Sequence, residues 1–257
     1  MEQLVRDLIF YAFVGLLVVL RFDARRFMAA EHDDENVSGG LGLWLRRLSW
    51  YALGLLIVVI VYNIYPLPIS VLHLQLGDDQ AQSLLGGLAL AGIGTLAVVG
   101  YAYIRYGRLR YPPPGRYPAG LLSSIGTAII DEAAWRGILL GLLIAAQWPI
   151  EYAVTFQALL YGLATRMARP RVPMGMLVLV LAQGFLGGWL TVETGGIGAA
   201  LLGHALTRLA FFVATGHGGP REVPDEEDFR DEREDELPVG LEVVHDADSG
   251  GGQRLLP

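Results

Sequence analysis

A chain of 257 residues that is 53% hydrophobic, with mean hydropathy +0.43, is too apolar for an ordinary soluble domain, and several of its runs approach the ~20 residues needed to cross a bilayer. It contains no cysteine, which excludes disulfides, thiolate nucleophiles and cysteine zinc sites. All 19 basic residues are arginine, and the net charge of −7 is a property of the end of the chain: residues 1–220 carry 15 Arg against 13 Asp and Glu, whereas residues 221–257 carry 4 against 13.

In chain order, residues 8–20 form a first apolar run between Arg6 and Arg21. It ends in Arg21-Phe22-Asp23 rather than in the small residues of a signal-peptide cleavage site, so it reads as a transmembrane helix. The polar connection that follows contains Glu31-His32-Asp33-Asp34-Glu35, whose carboxylates and imidazole suit a solvated loop better than a metal. No metal or other cofactor is expected. A second span covers residues 48–65 and is ended by Pro66 and Pro68. Trp44, Trp50 and Tyr51 at one end and Tyr62 and Tyr65 at the other suit the two interfaces. The next loop, with His73, Asp78 and Asp79, carries no recognisable chemistry. In the third span, 81–104, Gly86, Gly87, Gly92 and Gly94 favour close helix approach.

Four arginines and a proline run between 105 and 116 then break the helical pattern. The spacing predicts one long or broken span over 118–148, followed by spans over 150–165, 173–190 and 196–215, about seven in all. The connections between spans carry 5, 0, 4, 0, 3 and 0 arginines in order. By the positive-inside rule the arginine loops and the acidic tail lie in the cytoplasm and the N-terminus outside, in a polytopic all-α bundle of the cell membrane. The domains expected are 1–116, three leading helices with the basic linker; 117–216, the motif-bearing core; and 217–257, a disordered acidic tail. The partners expected are the lipid bilayer and a membrane-associated peptide. Nucleic acid is excluded as a partner, because the tail repels phosphate and no basic face exists outside short loops.

Asp131-Glu132-Ala133-Ala134-Trp135-Arg136 is the informative stretch. It places three charges inside an apolar helical run, where each costs at least a few kcal/mol unless it faces a cavity or a partner. Glu132 and Arg136 are four residues apart, so an ion pair on one helix face is expected. By itself that pair fits a structural clamp as well as a reaction centre.

With its neighbours, the stretch resembles the CAAX-protease and bacteriocin-processing (CPBP) family of intramembrane endopeptidases, which includes the type II CAAX prenyl endopeptidases. Members carry Glu-Glu-x-x-x-Arg, Phe-x-x-x-His and His-x-x-x-Asn motifs on three helices, and the likeness spans roughly residues 117–216. Here the first motif has Asp131 in its first acidic position. The second reads Tyr161 for Phe and Thr165 for His, and the third keeps His204 but has Arg208 for Asn. The resemblance implies a carboxylate, assisted by histidine, that activates water against a peptide bond, with Asp131, Glu132, Arg136 and His204 as the catalytic set. The losses at Thr165 and Arg208 keep a non-catalytic relative, binding a membrane peptide or helix in the same cavity, as the alternative. Arg208 needs a carboxylate at membrane depth, and the expected partners are Asp131 and Glu132.

Overall fold

Capping residues and glycines bound the apolar runs and turn them into helices. In the computed structural model, which describes residues 2–24, 26–27, 41–65, 67–168 and 174–216, the regular structure is entirely helical. The helices are α1 (Glu2–Asp23), α2 (Leu41–Ile64), α3 (Gln80–Tyr106), α4 (Tyr117–Asp131), α5 (Leu140–Ala145), α6 (Ile150–Ala168), α7 (Met174–Thr194) and α8 (Gly198–Thr215). A 3-10 turn, Pro114–Arg116, precedes α4, and a π-helical segment, Glu132–Leu139, joins α4 to α5. The Glu31–Glu35 cluster and the acidic tail lie outside the described residues.

Asp79 starts α3 by accepting from the backbone N–H of Ala81 and Gln82 at 2.8 and 3.1 Å, which satisfies donors that a helix start leaves unpaired. Gly107 ends it in the left-handed conformation, φ 69°, with its N–H on the carbonyl of Tyr103. Four stretches are long and apolar enough to cross a membrane by length and composition: Leu45–Ile64, Gln80–Tyr106, Met174–Thr194 and Gly198–Thr215.

Small residues let the spans close on one another. Helix α3 runs along α8, and a β-carbon at Gly87 would sit 2.9 Å from the carbonyl oxygen of Ala199. This is the close approach that glycines in α3 were expected to permit, although Gly92 has open space beside it. The helices α6 and α7 pack together, α7 returns on α8, and α1 lies against α6.

Two features differ from the sequence reading. Trp50 is not an interfacial aromatic: it is buried, and its indole N–H donates to the carbonyl of Leu20 at 3.0 Å. That carbonyl lies in the last turn of α1, where helical partners run out, so Trp50 anchors the end of α1. The loop 67–79 is also more than a connection. Leu72 is wholly buried, and a β-carbon at Gly141 would sit 2.7 Å from its Cα. The N–H of Ile197 donates to the carbonyls of His73 and Gln75 at 3.0 and 2.9 Å, and the N–H of Asp78 to Thr194 at 2.8 Å. The loop therefore closes over the π segment and the α7–α8 turn.

Candidate active site

The charged stretch falls where the helix changes its winding. The N–H of Leu140 reaches back to the carbonyl of Trp135, five residues earlier, and all eight residues from Glu132 to Leu139 are buried. Short π segments inside α-helices recur at functional sites. Here the segment turns one continuous run inward on every side, so its charges meet α1, α6 and α8 rather than lipid.

Glu132 and His204 are in contact. The His204 Nδ1 lies 2.6 Å from Glu132 Oε1, with both side chains buried. Arg136 Nη1 lies 3.1 Å from the same oxygen, the i,i+4 pair expected. It is close enough for charge pairing, but its N–H is not aligned on that oxygen as a hydrogen bond. Glu132 Oε2 is buried with no hydrogen-bond partner among the described residues. One carboxylate oxygen is thus engaged by an imidazole and a guanidinium, while the other keeps its lone pairs unspent.

Asp131 faces another way. Successive residues on a helix diverge by roughly 100°, and Asp131 meets α1 and α6. Arg21 Nη1 donates to Asp131 Oδ2 at 2.8 Å, Arg21 Nη2 to the Tyr161 hydroxyl at 2.9 Å, and Arg21 Nε to Thr165 Oγ1 at 3.2 Å. The Tyr161 hydroxyl in turn donates to Asp131 Oδ2 at 3.2 Å, and Thr165 Oγ1 donates to the carbonyl of Tyr161 at 2.9 Å. The Tyr161 ring lies between two guanidiniums, with Arg21 Cζ at 4.6 Å and Arg136 Cζ at 4.3 Å from its centroid, a cation–π arrangement strengthened by burial. Trp135 closes on Tyr161 edge-to-face, centroids 5.4 Å apart.

The structure thus brings together Asp131, Glu132, Arg136, Tyr161, Thr165 and His204. It overturns the expected pairing of Arg208. Among the described residues neither Asp131 nor Glu132 pairs with it; Arg21 and Arg136 fill those places. Arg208 is half-buried one turn beyond His204, its Nη1 buried and without a partner, and its charged neighbour is Arg47 of α2. The reason is directional: Asp131 points to α1 and α6, and Glu132 is held one turn away at His204.

Sequence reasoning missed three polar groups. Arg21 read as a flanking charge at a span end, although two carboxylates against one Arg136 already left the stretch short of a cation. Gln157 and Gln183, on α6 and α7, are buried with neither amide atom hydrogen-bonded among the described residues. Buried polar groups in apolar spans were the available signal. An open apolar groove of about 530 Å³ beside Trp148, Tyr152 and Phe156 shares no residue with the cluster.

An all-helical membrane bundle with a buried carboxylate–imidazole pair at a π segment defines the class. Residues 113–210 match the family model described as type II CAAX prenyl endopeptidase, Rce1-like, and over that segment the chain belongs to the CAAX-protease family. Neither the comparison with curated proteins nor that with solved structures found a match.

Proposed function

We propose that this protein is an intramembrane endopeptidase in which Glu132 is the general base. The observation that carries the reading is the 2.6 Å contact between Glu132 and His204 in a buried site, with Glu132 Oε2 unspent. In this mechanism Glu132 Oε2 accepts a proton from water as the water oxygen bonds to the peptide carbonyl carbon. The carbonyl oxygen gains the charge. When the carbon–nitrogen bond breaks, the same proton, passed by Glu132 or by His204, goes to the leaving amine. Arg208, at the position of the family's asparagine, offers Nη1 to the oxyanion, and such a donor is typically worth ~3 kcal/mol. Gln183 adds amide hydrogen-bonding capacity that a peptide group can use. The substrate class is a membrane-embedded or membrane-associated peptide.

The same proposal includes seven spans, a protease core at 117–216 behind three leading helices, the acidic tail in the cytoplasm and the N-terminus outside. The alternation of arginines between loops supports it, and in a cysteine-free chain single-cysteine labelling at 108 and 78 tests it directly. Reversed accessibility would reject that topology.

A second reading has its own support. Thr165 stands where the family has a histidine, and its hydroxyl is already engaged by Arg21 and Tyr161, so a non-catalytic relative that binds a peptide in the same interior fits those contacts. The full chain in lipid nanodiscs, given an internally quenched transmembrane peptide, separates the two. Cleavage that disappears in Glu132→Gln establishes the endopeptidase. Peptide binding without cleavage, unchanged in that variant, establishes the binder.

A further inference from the structure

The segment that matches the protease family begins at residue 113, yet the cation on Asp131 comes from residue 21. Arg21 is 2% exposed in the last turn of α1. Its guanidinium bonds to Asp131, Tyr161 and Thr165, all of them motif positions of the core and two of them substituted. The backbone around it is anchored separately by the Trp50 indole on the carbonyl of Leu20. A planar fork spent on three partners is held in one orientation in a way that a point charge would not be.

We infer that Arg21 is a positioning residue of the site, supplied by a helix outside the family segment, and that it fills the place left by the missing second-motif imidazole. Its task is to balance and hold Asp131 on the α1–α6 side. Glu132 is then the one carboxylate of the pair that contacts a proton carrier. The partition in the structure is clean: the contacts of Asp131 are with Arg21 and Tyr161, and those of Glu132 are with Arg136 and His204. Removing Arg21 leaves two adjacent buried carboxylates facing a single arginine, so Asp131 swings toward the Arg136 side and disturbs Glu132. The leading helices are in this way part of the reaction centre.

The inference rests on the proposed endopeptidase reading for its activity arm only. The test uses the full chain in detergent, with thermal unfolding and peptide cleavage read on Arg21→Gln, Arg21→Gln/Asp131→Asn, Arg21→Gln/Glu132→Gln and Arg21→Lys. Arg21→Gln is expected to lower the unfolding midpoint by roughly 10 °C, the scale for a broken buried ion pair in a chain of this size. Adding Asp131→Asn restores most of that loss, and adding Glu132→Gln does not. Below the midpoint Arg21→Gln lowers kcat at least tenfold with KM little changed, and Asp131→Asn brings kcat back. Arg21→Lys, which keeps charge but not the fork, recovers stability more fully than turnover. Equal rescue by the two neutralised carboxylates would overturn the assignment. So would a stable Arg21→Gln with unchanged kcat. If Arg21→Gln does not fold, the Asp131→Asn pair decides: folding at the parental midpoint supports the inference, and failure to fold rejects it. An inactive parent would count against the endopeptidase alone, since the thermal comparison still reads the partner of Arg21.

Discussion

Asp131 and Glu132 are neighbours in the chain, both buried and both paired with arginine, and they have opposite surroundings. The acceptor oxygen of Asp131 is engaged from two sides by groups that cannot take up its proton at neutral pH, a guanidinium and a phenol. Glu132 touches an imidazole through one oxygen and keeps the other unengaged. One winding step along the helix separates a carboxylate built into the scaffold from one able to do chemistry, and pairs of acids in contrasting environments are how folds divide structural and reactive roles. Burial and charge pairing alone do not distinguish the two. The identity of the second partner does.

Four experiments bear on this contrast. The largest effect is expected in turnover: Glu132→Gln should lower kcat ~10³-fold, within the range for removal of a general base, while Asp131→Asn should lower it far less when assayed below its unfolding midpoint. Similar losses in the two variants would erase the distinction. In stability the ranking reverses, because Asp131→Asn leaves Arg21 buried without its carboxylate, a loss of ~3 kcal/mol or more, readable as a drop in the thermal midpoint in detergent. Tyr161→Phe removes one hydroxyl from the Asp131 side and keeps the ring between the guanidiniums. It should cost ~1 kcal/mol in unfolding, with KM for a peptide substrate unmoved.

The smallest effect lies away from both carboxylates, in the loop that closes over them. Burial pushes the His73 imidazole below its ordinary value, against the raising influence of Gly195 and Asp78. The fold therefore favours the neutral ring. Its stabilising contribution is complete above the ordinary value of about 6.5 and is lost as pH falls through the lower folded value. Amide exchange at Asp78 and Ile197 should thus quicken relative to the intrinsic rate between pH 7 and pH 5, and His73→Gln should flatten the dependence. A loop equally protected at both values would mean that His73 does not secure it.

Much of this was legible because apolar spans make every polar residue conspicuous. The Glu132–Arg136 pair follows from helical spacing, and His204 from its resemblance to the third motif. The α3 glycines announced close packing, and Gly87 delivers it. Arg21 was not legible, since an arginine at the end of an apolar run is also what holds a span at the interface. Only the packing of α1 on α6 tells the two apart. The same ambiguity misplaced Trp50, whose amphipathic ring serves at a headgroup boundary or as a buried donor. Arg208 was assigned to the right carboxylates for the right electrostatic reason, but from the wrong helix.

The π segment from Glu132 to Leu139 has a consequence for how this part of the chain tolerates change. A π segment amounts to an α-helix carrying an inserted residue, so deleting one residue there would let the backbone relax to ordinary winding and rotate everything after it by roughly 100°. Ile138, Leu139 and Leu140, now wholly enclosed, would sweep off their packing surfaces, and Gly141 would turn away from Leu72. Side chains at Ala133 and Ala134 can be exchanged for others of similar size with local effects, but the number of residues between Glu132 and Leu140 cannot change by one. Length, more than composition, is the constrained variable in this stretch, and single-residue deletion scanning should find it the least forgiving part of the 117–145 run.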